Sequence, residues 1–155
     1  AVDAVDKGSE IEFSGDVFFK DNIADLGGFA KYGEGLQASR GGHVFAERRG
    51  VVKFLRSSRA YFEDGKADFG GAIAAITRGE VIMSGKAEFK GNVAKECGGA
   101  IAADRKSFKD RSNKLKFKNN KDKNADDSEA GDCDNVCIGS SDDERAFPQG
   151  GKTCE

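Results

Sequence analysis

Residues 62–75 read FEDGKADFGGAIAA, and residues 89–103 read FKGNVAKECGGAIAA. A third copy opens as FKNN at residues 117–120 and does not continue into a Gly-Gly pair. The phenylalanines that open the three copies are 27 and 28 residues apart. A repeat of this length is typical of a solenoid, in which each unit buries its apolar face only against its neighbours. We therefore expect a stack of similar units.

Each repeat consists of short β-like runs separated by Gly and Ser. After Gly70 these runs cover residues 72–77, 80–83 and 86–90. Each is too short for a helix and is bounded by turn residues, as strands are. Three short strands per repeat predict an all-β fold, a parallel β-helix of about four coils.

Alignment of the repeats on their phenylalanines predicts columns of stacked side chains, because equivalent positions of neighbouring coils lie about 4.8 Å apart. Phe should stack on Phe, and Asn can form a ladder of side-chain amides. Gly-Gly pairs suit corners that need a positive φ or a close backbone approach. The predicted columns are Phe19, Phe62, Phe89 and Phe117; Asn22, Asn92 and Asn120; and the corner residues Gly70, Gly71, Gly98 and Gly99.

The spacing also predicts how the chain is organised. Residues 1–10 are expected to be an N-terminal arm or cap, and residues 11–123 the coils. A loop is inserted at residues 29–42, because a second Gly-Gly pair restarts the pattern there. Residues 124–155 form an acidic tail that contains cysteines. Insertions in solenoids often form the binding face, so Tyr32, Leu36 and Arg40 are candidate partner-binding residues; alternatively, the loop only covers one end of the core.

The alternating motifs Phe-x-x-Asn and Gly-Gly-Ala-Ile, complete at residues 89–92 and 98–101, resemble the repeats of the chlamydial polymorphic outer membrane proteins. Related repeats occur in secreted or organelle-targeted proteins of algae and other microbial eukaryotes. The resemblance covers roughly residues 13–120, and Gly65 departs from it. It implies a right-handed β-helix and a surface-exposed adhesin or scaffold rather than an enzyme.

Four cysteines predict an irregular C-terminal tail tied down by disulfides. The candidates are Cys97, Cys133, Cys137 and Cys154. An even number in a short chain favours two disulfides, and the three possible pairings remain open. A bridge from the tail to the body is attractive. The alternative, a zinc site, has weak support because no second close cysteine pair is present, and we expect no metal and no cofactor.

The chain begins Ala-Val-Asp, which favours a signal or transit peptide that has been removed. We therefore expect the protein in an oxidising or organellar compartment: either secreted or at the cell surface, or in a plastid-type organelle. No apolar stretch approaches the 18 or so residues of a spanning helix.

The distribution of charge suggests where partners bind. A net charge of −2 gives no support to nucleic-acid binding. Residues 104–123 are basic and residues 124–147 acidic, so the tail either folds back on the last coil or leaves it for an anionic polymer, a lipid surface or an acidic partner. The positions three before each column Phe hold Asp16, Arg59, Lys86 and Lys114. The three stacked cations would repel one another unless an anion lies on them, either a nearby acid (Glu63, Asp64 or Glu88) or a group of a partner. They are candidate partner-binding residues; alternatively, this is a solvated face of mixed charge.

These observations favour a non-catalytic protein. β-Helix enzymes that act on acidic polysaccharides cluster Asp, Lys, Arg or His in a long groove, whereas this chain has one His and no recognisable catalytic motif. We therefore assign no catalytic residue. The predicted function is a structural subunit or linker that binds protein partners in a larger assembly, with proximity to a membrane surface as an extension of this hypothesis. The alternatives are a secreted or cell-surface adhesin and a polysaccharide lyase or epimerase.

Overall fold

A computed structural model of the protein describes residues 1–24, 39–112, 114–123 and 135–139, and the backbone alone of residues 153–154. Within these ranges the regular secondary structure consists entirely of β-strands, and no helix occurs. The predicted all-β class is confirmed.

The strands are short and are separated by tight turns. In chain order they are β1 (Val2–Val5), β2 (Glu10–Phe13), β3 (Asp16–Lys20), β4 (Val44–Glu47), β5 (Val51–Phe54), β6 (Arg59–Glu63), β7 (Lys66–Phe69), β8 (Ile73–Ala75), β9 (Glu80–Met83), β10 (Lys86–Lys90), β11 (Val93–Cys97), β12 (Ile101–Asp104), β13 (Phe108–Asp110), β14 (Leu115–Lys118), β15 (Lys121–Asp122), β16 (Val136–Gly139) and β17 (Thr153–Cys154).

The strands form four sheets in which nearly all pairs are parallel. Sheet 1 has the order β1-β4-β8-β12-β16-β17, sheet 2 β2-β5-β9-β13, sheet 3 β3-β6-β10-β14, and sheet 4 β7-β11-β15. Only β16 and β17, among the strands that the structure describes, pair antiparallel. The chain visits sheets 1 to 4 in the same order on each pass, and we call one pass a coil. This parallel arrangement is that of a β-helix-like solenoid.

Each complete coil carries a fourth strand that the sequence did not predict. In the third coil this strand is β11, which follows β10 after a two-residue turn and pairs with β7 and β15. Ile23 forms the corresponding bridge to Lys66 in the first coil. The strand was missed because Val93–Cys97 contains two consecutive charged residues, Lys95 and Glu96, and lacks strict alternation.

The predicted N-terminal arm is part of the first coil. Val2–Val5 form β1, which pairs in parallel with β4, with Val2 opposite Val44. Ala4 is fully buried under this pair. The predicted boundary at residue 11 was therefore too late, because the alignment rested on Phe residues and β1 contains none.

The predicted inserted loop ends earlier than expected. Residues 25–38 lie outside the described residues, but Ser39 and Arg40 already belong to the solenoid. The Ser39 amide donates to Asp68 Oδ2 at 2.9 Å, and the Asp68 amide donates to Ser39 Oγ at 2.8 Å. Arg40 forms a parallel bridge with Phe69.

The Gly-Gly pairs form the corners between sheet 4 and sheet 1. Gly41, Gly70 and Gly98 share a positive φ of 61°, 62° and 69°. A Cβ at any of the three would collide with the carbonyl oxygen of the residue three positions later. Only glycine avoids both penalties, which explains why the pair repeats.

The core contains the predicted phenylalanine stack. Successive ring centroids of Phe19, Phe62, Phe89 and Phe117 lie 5.2, 4.7 and 5.1 Å apart, and adjacent rings are within 16° of parallel. Phe54 packs edge-on against Phe62, with ring centroids 5.6 Å apart. A fully buried Phe stabilises the fold by about 1.5–3 kcal/mol relative to an exposed one, so this stack fixes the coils to one another.

A disulfide joins the tail to the body of the solenoid, as predicted. Cys97 at the end of β11 bonds to Cys137 in β16, with Cα atoms 5.8 Å apart, and both residues are buried. This bond decides the pairing of two of the four cysteines. Cys133 lies outside the described residues, and only the backbone of Cys154 is described, opposite Cys137.

Candidate functional site

An amide ladder runs through the interior beside the phenylalanine stack. The fully buried Asn92 accepts from the Gly65 amide at 2.9 Å and donates through Nδ2 to the Phe62 carbonyl at 3.0 Å. Asn120 Oδ1 accepts from both the amide and the Nδ2 of Asn92, at 3.0 and 2.9 Å. Asn120 in turn donates to the Phe89 carbonyl at 3.1 Å. The ladder satisfies backbone groups that the turns leave without strand partners.

His43 occupies the gap that Gly65 leaves in this ladder. Its ring is fully buried between Phe19 and Phe62, with ring centroids 6.0 and 6.1 Å away. Its Nδ1 lies 2.8 Å from Nδ2 of Asn22. Because an amide nitrogen only donates, Nδ1 acts as the acceptor, which requires an unprotonated Nδ1. Sequence analysis missed this role because His43 belongs to another corner of the coil.

The environment of His43 keeps its ring neutral. Burial lowers the pKa of His43 to about 4, from an ordinary value of 6.5. Its Nε2 has no hydrogen-bond partner among the described residues. An imidazole that is neutral, enclosed and in contact with two phenylalanine rings is a structural group of the core.

The outer face of sheet 3 carries a row of exposed cations beside two aromatic residues. Burial alternates along β3, β6 and β10, so every second side chain points to solvent. We call this set of outward residues the sheet 3 face. It comprises Asp16, Phe18, Lys20, Arg59, Tyr61, Glu63, Lys86, Glu88, Lys90, Lys114, Lys116 and Lys118. Seven of these residues are basic and three are acidic.

Two aromatic rings stack on this face. Phe18 and Tyr61 are directly opposite each other in the β3–β6 pair. Their ring centroids lie 4.7 Å apart and their planes differ by 5°. Phe18 is 71% exposed. The sequence signal was present but not used: each of the two residues immediately precedes a core Phe.

The predicted column of three cations is present beside the aromatic pair. Arg59 is directly opposite Lys86 in the β6–β10 pair, and Lys114 precedes Leu115, which is opposite Ala87. All three side chains are exposed. None makes an ion pair or side-chain hydrogen bond with another described residue. Among the residues that the structure describes, one ion pair lies on this face, from Lys90 to Glu63 at 3.5 Å.

On the outer face of sheet 2, lysines are paired with glutamates of neighbouring strands. Lys53 Nζ lies 2.5 Å from Glu10 Oε1 and 3.3 Å from Glu12 Oε1, on the neighbouring strand. Lys109 Nζ lies 2.6 Å from Glu80 Oε2. The lysine–glutamate contacts raise the pKa of Lys53 and lower that of Glu10. The outer face of sheet 2 thus neutralises its lysines within the chain, whereas the sheet 3 face leaves a cation column unpaired.

A shallow groove of about 540 Å³ runs along the sheet 3 face across three coils. The cation column forms one wall, and Tyr61, Glu88 and Lys116 form the other. Its floor is lined by Ala60, Ala87 and Leu115. Open to solvent and flanked by charge, this groove can receive an extended or convex anionic group.

Of the remaining predicted partner-binding residues, the structure describes Arg40, which is not on this face. Arg40 lies at the corner before sheet 1, where its guanidinium is 3.6 Å from Glu47 Oε1. Tyr32 and Leu36 lie outside the described residues. The structure therefore brings together Arg59, Lys86 and Lys114 and separates them from Arg40.

Two other kinds of site are absent from the described ranges. No group of three or more His, Cys, Asp or Glu residues is arranged there to hold a metal ion. No helix in the same ranges is long and apolar enough to cross a membrane.

Comparison of the chain with protein-family models, with curated proteins and with solved structures gave no match.

Proposed function

We propose that this protein is a non-catalytic structural subunit, a scaffold or linker that binds a protein partner within a larger assembly. The observation that carries this proposal is the stacked pair of the exposed Phe18 and the partly buried Tyr61, beside the unpaired cation column Arg59, Lys86 and Lys114. Aromatic residues and Arg are the types enriched where proteins bind one another.

The interior suits such a role. Stacked phenylalanines, the amide ladder and the Cys97–Cys137 bond hold successive coils in register. Interactions that repeat from coil to coil keep the outer faces at fixed positions, so side chains on one face are presented with little loss of entropy on binding. A rigid platform of this kind is what a linker or scaffold requires.

We further infer that the solenoid is a right-handed parallel β-helix of about four coils. Support comes from the four sheets visited in constant order and from the resemblance of residues 13–120 to the repeats of the polymorphic outer membrane proteins. The same resemblance implies a surface-exposed adhesin or scaffold rather than an enzyme.

We place the protein in an oxidising or organellar compartment, either secreted or plastid-type. The disulfide supports this inference, because such bonds persist where thiols are not kept reduced. The same observation keeps a secreted adhesin as a second candidate function. An adhesin would bind cells or glycans rather than a subunit of an assembly.

Native separation of the membrane and soluble fractions of the source organism, followed by mass spectrometry of each band, tests the proposal. We expect this chain to co-migrate with a complex much larger than its own 16.5 kDa. A free monomer found only in the secreted fraction would contradict the scaffold function and favour the adhesin.

A further inference from the structure

We propose that the sheet 3 face is the docking site of this protein and that it binds an acidic protein segment with an aromatic or apolar anchor. Acidic side chains of the partner lie along Arg59, Lys86 and Lys114, and its anchor packs on the Phe18 ring. This inference rests on the proposed function and adds to it the location of the site and the chemistry of the partner.

The cation column provides the first step of the argument. Parallel neighbouring strands hold equivalent residues about 4.8 Å apart, so three like charges stand in one row and repel. On sheet 2, by contrast, Lys53 and Lys109 each pair with a Glu of a neighbouring strand. The row on sheet 3 holds one acid, Asp16 opposite Arg59, but none of its three cations makes an ion pair with a described residue. Carboxylates from another molecule would remove the repulsion.

The aromatic pair provides the second step. Phe18 is 71% exposed and lies on β3, the end strand of the sheet β3–β6–β10–β14. Tyr61 supports one side of its ring, while the rest of the ring faces solvent. An ordered and exposed Phe costs hydration free energy that burial under a partner would recover. The face therefore offers an apolar anchor point at one end of a charged groove.

The mixture of groups favours a protein over a polyanionic glycan or lipid. Asp16, Glu63 and Glu88 interrupt the positive charge of the same face. A uniform polyanion would meet these carboxylates with repulsion, whereas a protein partner can present a patterned surface with cations opposite them. Phe18 also has no role in binding a purely ionic polymer.

The test measures binding of fluorescent polymers to the full chain by anisotropy. The probes are a copolymer of Glu and Tyr, poly-Glu, and polygalacturonate. The face variant is R59Q/K86Q/K114Q, and the matched control is K7Q/R78Q/K106Q. The control residues are exposed cations in the turns between sheet 1 and sheet 2, and the two triple variants lose the same charges. Near-ultraviolet circular dichroism and thermal unfolding establish that each variant is folded.

We expect the Glu–Tyr copolymer to bind most tightly of the three probes. The face variant should weaken this binding by about tenfold, and the control variant by less than about twofold. F18S should weaken binding of the copolymer and leave binding of poly-Glu unchanged, since only the copolymer carries aromatic anchors.

Several results would overturn the inference. They are equal weakening by the two triple variants, tighter binding of polygalacturonate than of the copolymer, an F18S variant that leaves the copolymer affinity unchanged, or no copolymer binding. If the native chain enters a large complex and R59Q/K86Q/K114Q enters it equally well, this inference fails while the scaffold function stands. If the native chain enters no complex, the scaffold function itself fails.

Discussion

The imidazole of His43 lies directly over Gly65, so that a Cβ added at Gly65 would be 2.6 Å from His43 Nε2. These two residues come from different sides of the coil. Together they do what one asparagine does in each of the next two coils: they fill one position of the internal ladder. At Gly65 the ladder therefore has the buried imidazole of His43 in place of an asparagine side chain.

Replacement of Gly65 by Asn should destabilise the protein, although Asn is the residue of the repeat. The added side chain would collide with His43 and with the Gly71 carbonyl, at an expected cost of about 2–4 kcal/mol. Urea unfolding measures the change. The control is Gly15→Asn, where a Cβ meets nothing within 4 Å, and an Asn tolerates the positive φ. A G65N variant more stable than the native chain would contradict the assigned role of His43.

The stability of the protein should fall as the pH drops from 6.5 to 4. The pKa of His43 is lowered to about 4 by burial, so the folded state disfavours the proton that the unfolded state accepts near pH 6.5. The stabilisation by the neutral ring is complete above pH 6.5 and is lost progressively below it, by at most about 3 kcal/mol. Urea unfolding of the native chain and H43Q at pH 7.5 and 4.5 tests this, because acidic groups titrate in both. Equal pH dependence of the two proteins would show that His43 is not the cause.

Asn92 should be the least replaceable polar residue of the core. Asn92→Ala removes the acceptor of the Gly65 amide and the donor to the Phe62 carbonyl, and it leaves buried backbone groups unsatisfied. We expect a loss of about 3–5 kcal/mol in the free energy of unfolding. Asn119→Gly is the control, since Asn119 is exposed and already has a positive φ of 54°; it should change stability by less than about 1 kcal/mol. A small effect at Asn92 would mean that water replaces the ladder.

Loss of the Cys97–Cys137 bond should destabilise the solenoid at its C-terminal end. The bond closes a loop with a sequence separation of 40, for which chain entropy predicts a stabilisation of about 4 kcal/mol. We expect C97S/C137S to unfold at lower temperature than the native chain. Addition of a reductant should lower the Tm of the native chain by more than it lowers that of C97S/C137S. A native Tm that does not respond to reductant would indicate that the bond contributes little.

Much of the fold could be predicted from sequence because a parallel solenoid repeats the same contacts at a fixed interval. The phenylalanines at 19, 62, 89 and 117 and the corner glycines are periodic, and their period indicates what they touch. The all-β class and the parallel strand arrangement followed from this periodicity. The β1 strand was missed because its repeat partner in β4 shares little sequence with it, Val-Asp-Ala-Val against Val-Phe-Ala-Glu.

Two features of the interior have no periodic signal. His43 fills the space of the side chain that Gly65, 22 residues later in the sequence, does not have. A local sequence pattern does not indicate such a relationship. The bond between Cys97 and Cys137 joins sheet 4 to sheet 1 across a corner, so it depends on the path of the chain and not on spacing. On the surface, the cation column was predictable from alignment, whereas the pair Phe18–Tyr61 required knowing which side of the strand faces solvent.

Site-specific photo-crosslinking within the native assembly tests the central claim most directly. A photoreactive phenylalanine analogue is placed at Phe18 on the sheet 3 face, and in a matched variant at Phe45, a partly exposed residue of β4 in sheet 1. We predict that the probe at position 18 crosslinks to an acidic segment of one partner protein and that the probe at position 45 does not reach that segment. Capture of the same segment from position 45, or no crosslink from position 18 in an intact assembly, would contradict the claim that the sheet 3 face is where this scaffold binds.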